Sequence, residues 1–211
     1  MKKIIIATLI TLGSFSMVSA EIGVNIGVTG STGLIFAEGN ETIETNKKGS
    51  SDVTNVFGHS SFFIEKTLGS RFRVGYDMVN STLSSDTTED SKTDNAATVT
   101  NTVKVDFSNI NTLYAAVNIT ENLYVKAGMV SVDIDTKETL GTGGAYGNTS
   151  MDGTVMGLGY NKTFDNGFFI RAEGTITDYD DVKLSDTTNT KEIKITKVES
   201  VLAGLSIGKS F

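Results

Sequence analysis

The sequence predicts an all-β fold, an eight-stranded antiparallel transmembrane β-barrel of the up-and-down meander type. Three observations predict it. Apolar residues alternate with small or polar ones along most of the chain. Long polar connections alternate with short turns, and the last stretch, residues 195–211, has an apolar face that no later segment covers. A strand with such a face lies in lipid only if every backbone N–H and C=O is paired, which requires a closed barrel.

The first 20 residues have the parts of a secretory signal peptide. Lys2 and Lys3 precede the apolar run 4–18, and a Val-Ser-Ala cleavage site ends at Ala20. The run is shorter than the roughly 20 residues that a membrane-spanning helix needs. We therefore expect cleavage after Ala20 and export of residues 21–211 as the barrel.

Composition excludes several classes of function. Without the two lysines of the signal, 16 basic residues stand against 25 acidic ones, a formal charge of −9 that argues against nucleic acid as a partner. The chain has no Cys for disulfides and no Pro, which suits central strands because proline cannot donate to a ladder. A hydrophobic content of 38% with 22 Gly is low for a soluble domain, yet it suits a barrel whose apolar residues face outward.

Alternation defines the first four strands. Even-numbered apolar residues from Ile22 to Phe36 mark the first, and Phe72, Tyr76 and Met78 mark the third, which is the clearest in the chain. The second strand has apolar residues on both faces, so its facing stays open. In the fourth, odd-numbered apolar residues keep one face across the SNIN segment, which predicts one long strand with a single facing. These strands cover residues 22–37, 53–66, 71–83 and 98–119.

The last four strands follow the same rule. The fifth places Val125 outward and the seventh places Ile170 outward. The sixth alternates apolar residues such as Leu158 with glycines, and the closing strand alternates apolar residues such as Val201 with small or polar ones. These strands cover residues 123–136, 151–163, 167–178 and 195–211.

Four long polar connections alternate with three short turns. Both termini then lie on the side of the short turns. In an outer-membrane barrel that side faces the periplasm, and the long loops face the outside of the cell. The predicted long loops are residues 39–52, 84–97, 137–150 and 180–191.

The inward faces of the predicted strands carry charges of both signs. Eight strands enclose an interior just wide enough for side chains to fill, and buried charges need partners. We therefore expect an ion-pair network that plugs the lumen. A gated or small-solute conduit is the alternative, because inward glycines on the sixth strand leave room. The predicted lumen ion-pair residues are Arg71, Arg73, Asp77, Lys104, Asp106, Lys126, Arg171 and Glu173.

The sequence predicts no catalytic, cofactor-binding or metal site. His59 and Ser61 lie two apart on one strand face, a spacing similar to that of outer-membrane lipid A deacylases. The surrounding GHSSFF lacks the rest of that motif and a carboxylate to orient the histidine. Acidic residues in the second and fourth loops offer the oxygen ligands that Ca²⁺ prefers, but their spacing fits no EF-hand. We interpret them as solvated charge, with divalent bridges to lipopolysaccharide phosphates as the alternative.

The signal peptide, the alternating loop lengths and the terminal SIGKSF resemble small eight-stranded outer-membrane barrels of Gram-negative bacteria, of the OmpA-domain, OmpX and opacity-protein kind. The resemblance covers residues 21–211. Leu205, Ile207 and Phe211 are similar to the C-terminal signal that the barrel-assembly machinery reads, although Lys209 departs from it. LYVKAG, GTGGAYGNTS, GLGY and SIGKSF are also similar to uncharacterised barrels of marine bacteria. Because Trp is absent, the aromatic belt would consist of Tyr76, Tyr124, Tyr160 and Phe168.

This resemblance implies a function without catalysis. It implies a porin-like monomer in the cell outer membrane that contacts outer-membrane lipid and lipopolysaccharide and acts structurally or by surface interaction through its loops. Its extracellular ligand is not specified. Resemblance to the OmpW kind implies an alternative, a narrow channel or side-opening path for small hydrophobic molecules. An outer-membrane lipid hydrolase is a further alternative.

Overall fold

The structure is a computed structural model that describes residues 22–43, 46–94, 97–139, 144–187 and 191–211. The predicted signal peptide lies outside these residues, so cleavage after Ala20 stays a prediction. Among the described residues, no helix is long and apolar enough to cross a membrane. The strands are β1 (Ile22–Ile43), β2 (Asn46–Leu68), β3 (Phe72–Val79), β4 (Leu83–Ser84), β5 (Thr88–Asp94), β6 (Ala97–Asn118), β7 (Leu123–Thr139), β8 (Thr149–Thr163), β9 (Phe168–Tyr179), β10 (Val182–Ser185) and β11 (Lys191–Ser210).

These strands form a closed ring of eight wall segments, all antiparallel. β3, β4 and β5 together make one segment, and β9 with β10 makes another. β1 pairs with both β2 and β11, which closes the ring. At the seam, the backbones of Val24 and Phe211 exchange hydrogen bonds of 3.1 and 2.9 Å. The predicted fold class is confirmed.

The outer wall is apolar near the end that carries the short turns, Ile22 and Phe211, which we call the turn end. Phe72 and Met78 on β3 are exposed there, as are Leu205 and Ile207 on β11. Farther along the strands, polar outward residues such as Glu199 replace them. An outward apolar band about 25 Å tall is the part of such a barrel that lipid surrounds.

A β-bulge in β6 reverses the facing of its upper part. Asn109 has a φ of 49°, and the register of β6 with β7 shifts between Ser108 and Asn111. An extra residue in one strand turns the residues beyond it to the opposite face. Phe107 therefore points into the barrel opposite Ile134. The predicted single facing of the fourth strand is wrong above this bulge.

A second bulge occurs in the closing strand. Lys197 has a φ of 51°, and the register of β1 with β11 shifts between Phe36 and Glu38. Ile195, predicted to share a face with Val201, consequently packs inside the barrel.

Apolar side chains fill the outer end of the barrel, opposite the turn end, and the segments that the two bulges turn inward supply some of them. We call these residues the apolar cluster. Its buried members are Ile134, Met151, Val182 and Val198, and packed against them are Ile35, Ala37, Val105, Phe107, Tyr179, Leu184 and Ile195.

Much of the sequence predicted as long loops is strand. β1 continues to Ile43 and β2 begins at Asn46, so most of residues 39–52 form a hairpin. β5 and β10 lie within the second and fourth predicted loops. A polar composition does not prevent strand formation there, because the ladder hydrogen bonds join main-chain groups.

The wall is not paired all the way to its outer end. β2 pairs with β3 only from Ser61 to Leu68, and β4 and β5 pair only with β6. Among the described residues, the side of β2 that faces β4 and β5 therefore has no neighbouring strand beyond Ser61. The side chains of residues 52–56 are all exposed. We call residues 52–60 of β2 the open edge.

Candidate functional site

Glu65 is the centre of a buried network near the turn end, and its side chain is 0% exposed. Arg171 donates one hydrogen bond to each carboxylate oxygen, both 2.9 Å long. The Tyr114 hydroxyl donates at 2.9 Å and the Asn25 amide at 3.0 Å, and Nε of Arg73 lies 3.5 Å from Oε2. Two parallel bonds from a guanidinium to a carboxylate are among the strong interactions in proteins. We call these five residues the sealing network.

A second group of charges lies beside the first. Glu173 accepts a hydrogen bond from Tyr124 and forms an ion pair with Lys126. Asp77 accepts a hydrogen bond of 2.9 Å from Ser61. Among the described residues, three carboxylates and three cations lie at this level of the barrel, and their formal charges balance: Glu65, Asp77, Glu173, Arg73, Lys126 and Arg171.

Four interior aromatic rings lie across glycines of the neighbouring strand. A Cβ added to any of these glycines would lie 2.2 to 2.5 Å from a ring atom, which no side chain tolerates. The rings therefore occupy the space that the glycines leave. The room predicted on the sixth strand beside Gly159 is taken by the ring of Tyr124. The cross-strand pairs are Gly27 with Phe63, Gly75 with Tyr114, Gly159 with Tyr124 and Gly208 with Phe169.

These rings also surround the cations. The Arg171 guanidinium lies 5.0 Å from the centroid of Phe63 and 5.2 Å from that of Phe169. Arg73 lies 4.5 Å from the ring of Tyr124. Such cation–π contacts stabilise a desolvated cation by about 2 kcal/mol or more. Rings and ion pairs together fill the barrel at this level.

A cavity of about 100 Å³ lies between the sealing network and the apolar cluster. Polar and charged side chains contribute to its wall: His59, Ser61, Asp77, Lys126, Arg171 and Glu173. Nδ1 of His59 is buried and has no hydrogen-bond partner among the described residues. Val79 and Leu83 line the cavity where β2 loses its neighbour.

The structure places five of the predicted lumen residues in the interior: Arg73, Asp77, Lys126, Arg171 and Glu173. Arg71 is instead exposed in the turn between β2 and β3. Lys104 and Asp106 form an ion pair of 3.5 Å on the outer face of β6, because the bulge at Asn109 reverses the facing of this segment. The Ser84 hydroxyl donates to Asp106 at 2.6 Å and lowers the pKa of that carboxyl.

Sequence reasoning missed the central acceptor. Glu65 lies on the second strand, whose facing the pattern leaves open because Phe63 and Ile64 are both apolar. The sequence did contain a signal for it: Ser61 and Glu65 are both odd-numbered, so two polar residues share one face of the strand. Tyr124 is also buried in the interior rather than in the aromatic belt, on the same face as Lys126.

The histidine and serine do not form a nucleophile and base. Ser61 donates to Asp77, not to His59, and the His59 ring stacks on Phe57 with centroids 6.0 Å apart. A hydroxyl whose proton goes to a carboxylate is not activated by an imidazole. Within the described ranges, no group of three or more His, Asp and Glu residues is placed to hold a metal ion.

The C-terminal residues lie on the outer wall of the barrel. Leu205, Ile207 and Phe211 are all exposed. The Lys209 ammonium lies 5.1 Å from the Phe168 ring and 5.5 Å from the Phe211 ring. Lys209, the position at which the sequence departs from the C-terminal assembly signal, thus lies beside two aromatic rings.

The likeness to known proteins is in structure. No family model matches the chain, and no curated protein matches it. The outer membrane protein OprG from Pseudomonas aeruginosa superposes with a TM-score of 0.58 at 9% identity, over 91% of this chain and 96% of OprG. The outer membrane protease OmpT from Escherichia coli gives 0.47 at 10%, over 94% and 99%. Neisserial surface protein A gives 0.38 at 11%, over 88% and 97%. The chain has the fold of the outer-membrane β-barrels.

Proposed function

We propose that this chain is an outer-membrane barrel with a sealed lumen that acts at the cell surface by binding an extended polypeptide along the open edge. The observation that carries the proposal is the unpaired edge of β2 beyond Ser61. In this setting the turn end faces the periplasm. The proposed partners also include outer-membrane lipid, lipopolysaccharide at the outer leaflet and the assembly machinery that reads the Phe211 end, and the barrel works as a monomer.

The filled interior supports a role other than diffusion of solutes through the lumen. The sealing network and the four glycine-backed rings occupy the barrel at the level of the apolar outer band. Opening a path there would separate Glu65 from Arg171 and leave buried charges without partners, which is costly. Such a barrel works by what it presents outside the membrane.

The composition of the open edge supports binding of a strand. Natural edge strands avoid pairing through charges, prolines, bulges or a covering segment. Residues 52–60 contain one formal charge, Asp52, and no proline. Val56 is 77% exposed there. A peptide added to such an edge gains affinity from backbone hydrogen bonds and specificity from alternate side chains.

A peptide-binding assay tests this function. The barrel is reconstituted in lipid nanodiscs and titrated against a fluorescent eight-residue peptide of alternating Thr and Val. A copy of the peptide that is N-methylated at alternate residues cannot donate the same hydrogen bonds. We expect a saturable rise in anisotropy with the first peptide only. Equal binding of both peptides, or of neither, would contradict strand addition.

Matched variants locate the site. Thr54→Lys with Val56→Lys places two charges on the open edge and should abolish peptide binding. Ser131→Lys on β7 places a charge at an exposed position of a strand that is paired on both sides. This control should bind the peptide as the native barrel does. Loss of binding in the control would show that the peptide responds to net charge rather than to the edge.

A second candidate is transport of a small hydrophobic molecule through the side of the barrel. The observation that favours it is the apolar wall of the cavity, where Phe57, Val79 and Leu83 lie next to the unpaired part of β2. Conductance in planar bilayers and uptake of a hydrophobic dye into vesicles separate the two functions. Dye entry that depends on the native barrel would favour transport, whereas peptide binding without dye entry favours the surface role.

A further inference from the structure

We propose that the outer wall of the barrel binds one phospholipid of the leaflet at the turn end, with an acyl chain in a recess of the wall and the phosphate at Lys162. The proposal rests on the proposed placement of the barrel in the outer membrane, and it gives the lipid contact a chemical class and a site. It does not involve the open edge, so either proposal can fail alone.

The recess is a cavity of about 700 Å³ on the outer face of β1, β11, β9 and β8. Small outward side chains predominate in it, whereas large ones lie before and after it along the strands. Ile170 and Ile207 lie toward the turn end, and Ile176 and Val201 lie toward the outer end. Two neighbouring rows of paired residues form the recess: Gly30, Leu205, Ala172 and Tyr160 in one, and Thr32, Ala203, Gly174 and Leu158 in the other.

The polar residues around the recess have partners in the chain. Glu173 lines it as well, but its carboxylate binds Tyr124 and Lys126 inside the barrel. The His59 ring stacks on Phe57. The Thr32 hydroxyl donates to the main-chain oxygen of Phe57 at 3.2 Å. The recess therefore offers its occupant a mainly apolar surface.

The chain itself does not use the space of the recess. A Cβ added to Gly30 would meet nothing within 4 Å, and one added to Gly174 would meet only the Leu202 oxygen at 4.0 Å. Lipid tails are as apolar as the wall, so apolar contact alone selects nothing in a membrane and packing decides. A gap beside the wall forfeits dispersion contacts. An acyl chain held in the recess would make those contacts.

The volume of the recess fits one acyl chain. About 700 Å³ corresponds to about 23 groups of the size of a water molecule in the liquid, at about 30 Å³ each. With each methylene counted as about one such group, a chain of about 16 to 18 carbons fits and two chains do not. The recess therefore selects for one chain of a lipid.

Lys162 lies where the phosphate of such a lipid would be. It is exposed at the turn end of β8, and among the described residues it forms no ion pair. It also lines a hollow of about 450 Å³ at the turn between β8 and β9, together with Asp165. Lys209 lies two strands away, against two aromatic rings. These three formal charges sum to +1, which complements one phosphodiester with an uncharged headgroup, as in phosphatidylglycerol.

One lipid can reach both features. Lys162 lies two residues from Tyr160 and four from Leu158 along β8, which is about 7 to 13 Å at about 3.3 Å per residue. In strands tilted by about 45°, the recess then lies about 5 to 9 Å deeper than Lys162, within the roughly 15 Å of hydrocarbon in one leaflet.

Native mass spectrometry, which counts bound lipids, tests the recess. The barrel in detergent micelles is titrated with dioleoyl phosphatidylglycerol, and we expect one tightly bound lipid per barrel. Ala172→Leu with Ala203→Leu fills the recess and should abolish this binding. Ala115→Leu with Ala127→Leu adds the same side chains to an outward pair on β6 and β7, outside the recess, and should keep it. Equal binding by both double variants, or loss in both, would overturn the proposal.

Two lysine variants test the phosphate site. Lys162→Gln should weaken phosphatidylglycerol binding about fivefold, as expected for one lysine near lipid phosphates. Lys66→Gln removes an exposed lysine of the turn end on β2 and should bind as the native barrel does. Dioleoylglycerol, which lacks the phosphate, should bind the native and Lys162→Gln barrels equally. Equal effects of the two lysine variants, or the same effect of Lys162→Gln on both lipids, would overturn the assignment of the phosphate to Lys162.

Two further measurements keep the result specific. Gel mobility before boiling checks that every variant is folded. The variant that fills the recess should still bind the alternating Thr and Val peptide, because the open edge lies elsewhere on the barrel. Loss of lipid and peptide together would show that the substitutions act on the whole barrel, and the recess would then not be the lipid site.

Discussion

Glu65 holds two buried guanidinium groups together, and this determines the cost of replacing it. Glu65→Gln leaves Arg73 and Arg171 without a counter-charge and should lower the free energy of unfolding by about 3 to 5 kcal/mol. Urea titration of the barrel in lipid vesicles measures this. Glu121→Gln, in an exposed turn, is the control. A loss no larger than that of the control would show that the network contributes little to stability.

The glycines behind the interior rings should respond differently from glycines on the outer wall. In Gly159→Ala the new Cβ would lie 2.2 Å from the Tyr124 ring, so the ring must move at a cost of about 1 to 3 kcal/mol. In Gly30→Ala the Cβ meets nothing within 4 Å. The same urea titration should show destabilisation for the first variant and little change for the second. Equal changes in the free energy of unfolding for the two variants would mean that the Tyr124 ring moves aside at no cost.

At the scale of the element, the bulges decide which faces of β6 and β11 are apolar. Lys197 adopts a positive φ that costs an ordinary residue about 1 kcal/mol and costs glycine little. Lys197→Gly should therefore be about 1 kcal/mol more stable than Lys197→Ala in urea titrations. Both variants lose the exposed ion pair with Glu38, so their difference reports the backbone alone. If Lys197→Ala were as stable as Lys197→Gly, the bulge would not require a positive φ at residue 197.

The alternation of apolar and polar residues predicted that the wall strands exist and in which order they follow. It could do so because each strand has one outward and one inward face, so residue character repeats every two positions. It did not predict the bulges, since one inserted residue at Asn109 or Lys197 leaves the apolar residues apparently in phase while their facing reverses. For the same reason it placed Lys104 and Asp106 in the lumen. Glu65 was missed because Phe63 and Ile64 supply apolar residues to both faces of its strand.

At the scale of the whole molecule, a closed ring predicts a characteristic behaviour on gels. The native barrel should resist SDS and migrate at a different position from the boiled chain, because every wall strand is held by its neighbours near the turn end. Identical mobility before and after boiling would contradict closure by β1 and β11.

The filled interior predicts the electrical behaviour of the barrel. The native protein should give no discrete conductance steps in planar bilayers. Glu65→Ala with Arg171→Ala removes a bidentate pair without changing the formal charge, and it should allow small steps by opening a water path. Lys183→Ala with Glu192→Ala removes an exposed pair and should stay silent. Steps in the native barrel would favour the transport function.

The open edge could not be predicted from the sequence, because it depends on a partner that is absent from one side of a strand. Residues 53–66 were predicted as one strand of the wall, yet only the part from Ser61 onward pairs with β3. The signal peptide, the lipid and lipopolysaccharide contacts, and the likeness to marine bacterial barrels stay predictions.

The sealing network also bears on how the barrel assembles. Glu65 and Arg171 lie 106 residues apart in the chain, and the remaining members come from β1, β3 and β6. Glu65 and Arg73 already lie on the adjacent strands β2 and β3, whereas Arg171 on β9 reaches Glu65 only when β1 pairs with β11. We therefore expect ring closure and the pairing of Glu65 with Arg171 to occur together. Incompletely closed barrels should then be short-lived, and closure should be one cooperative late step.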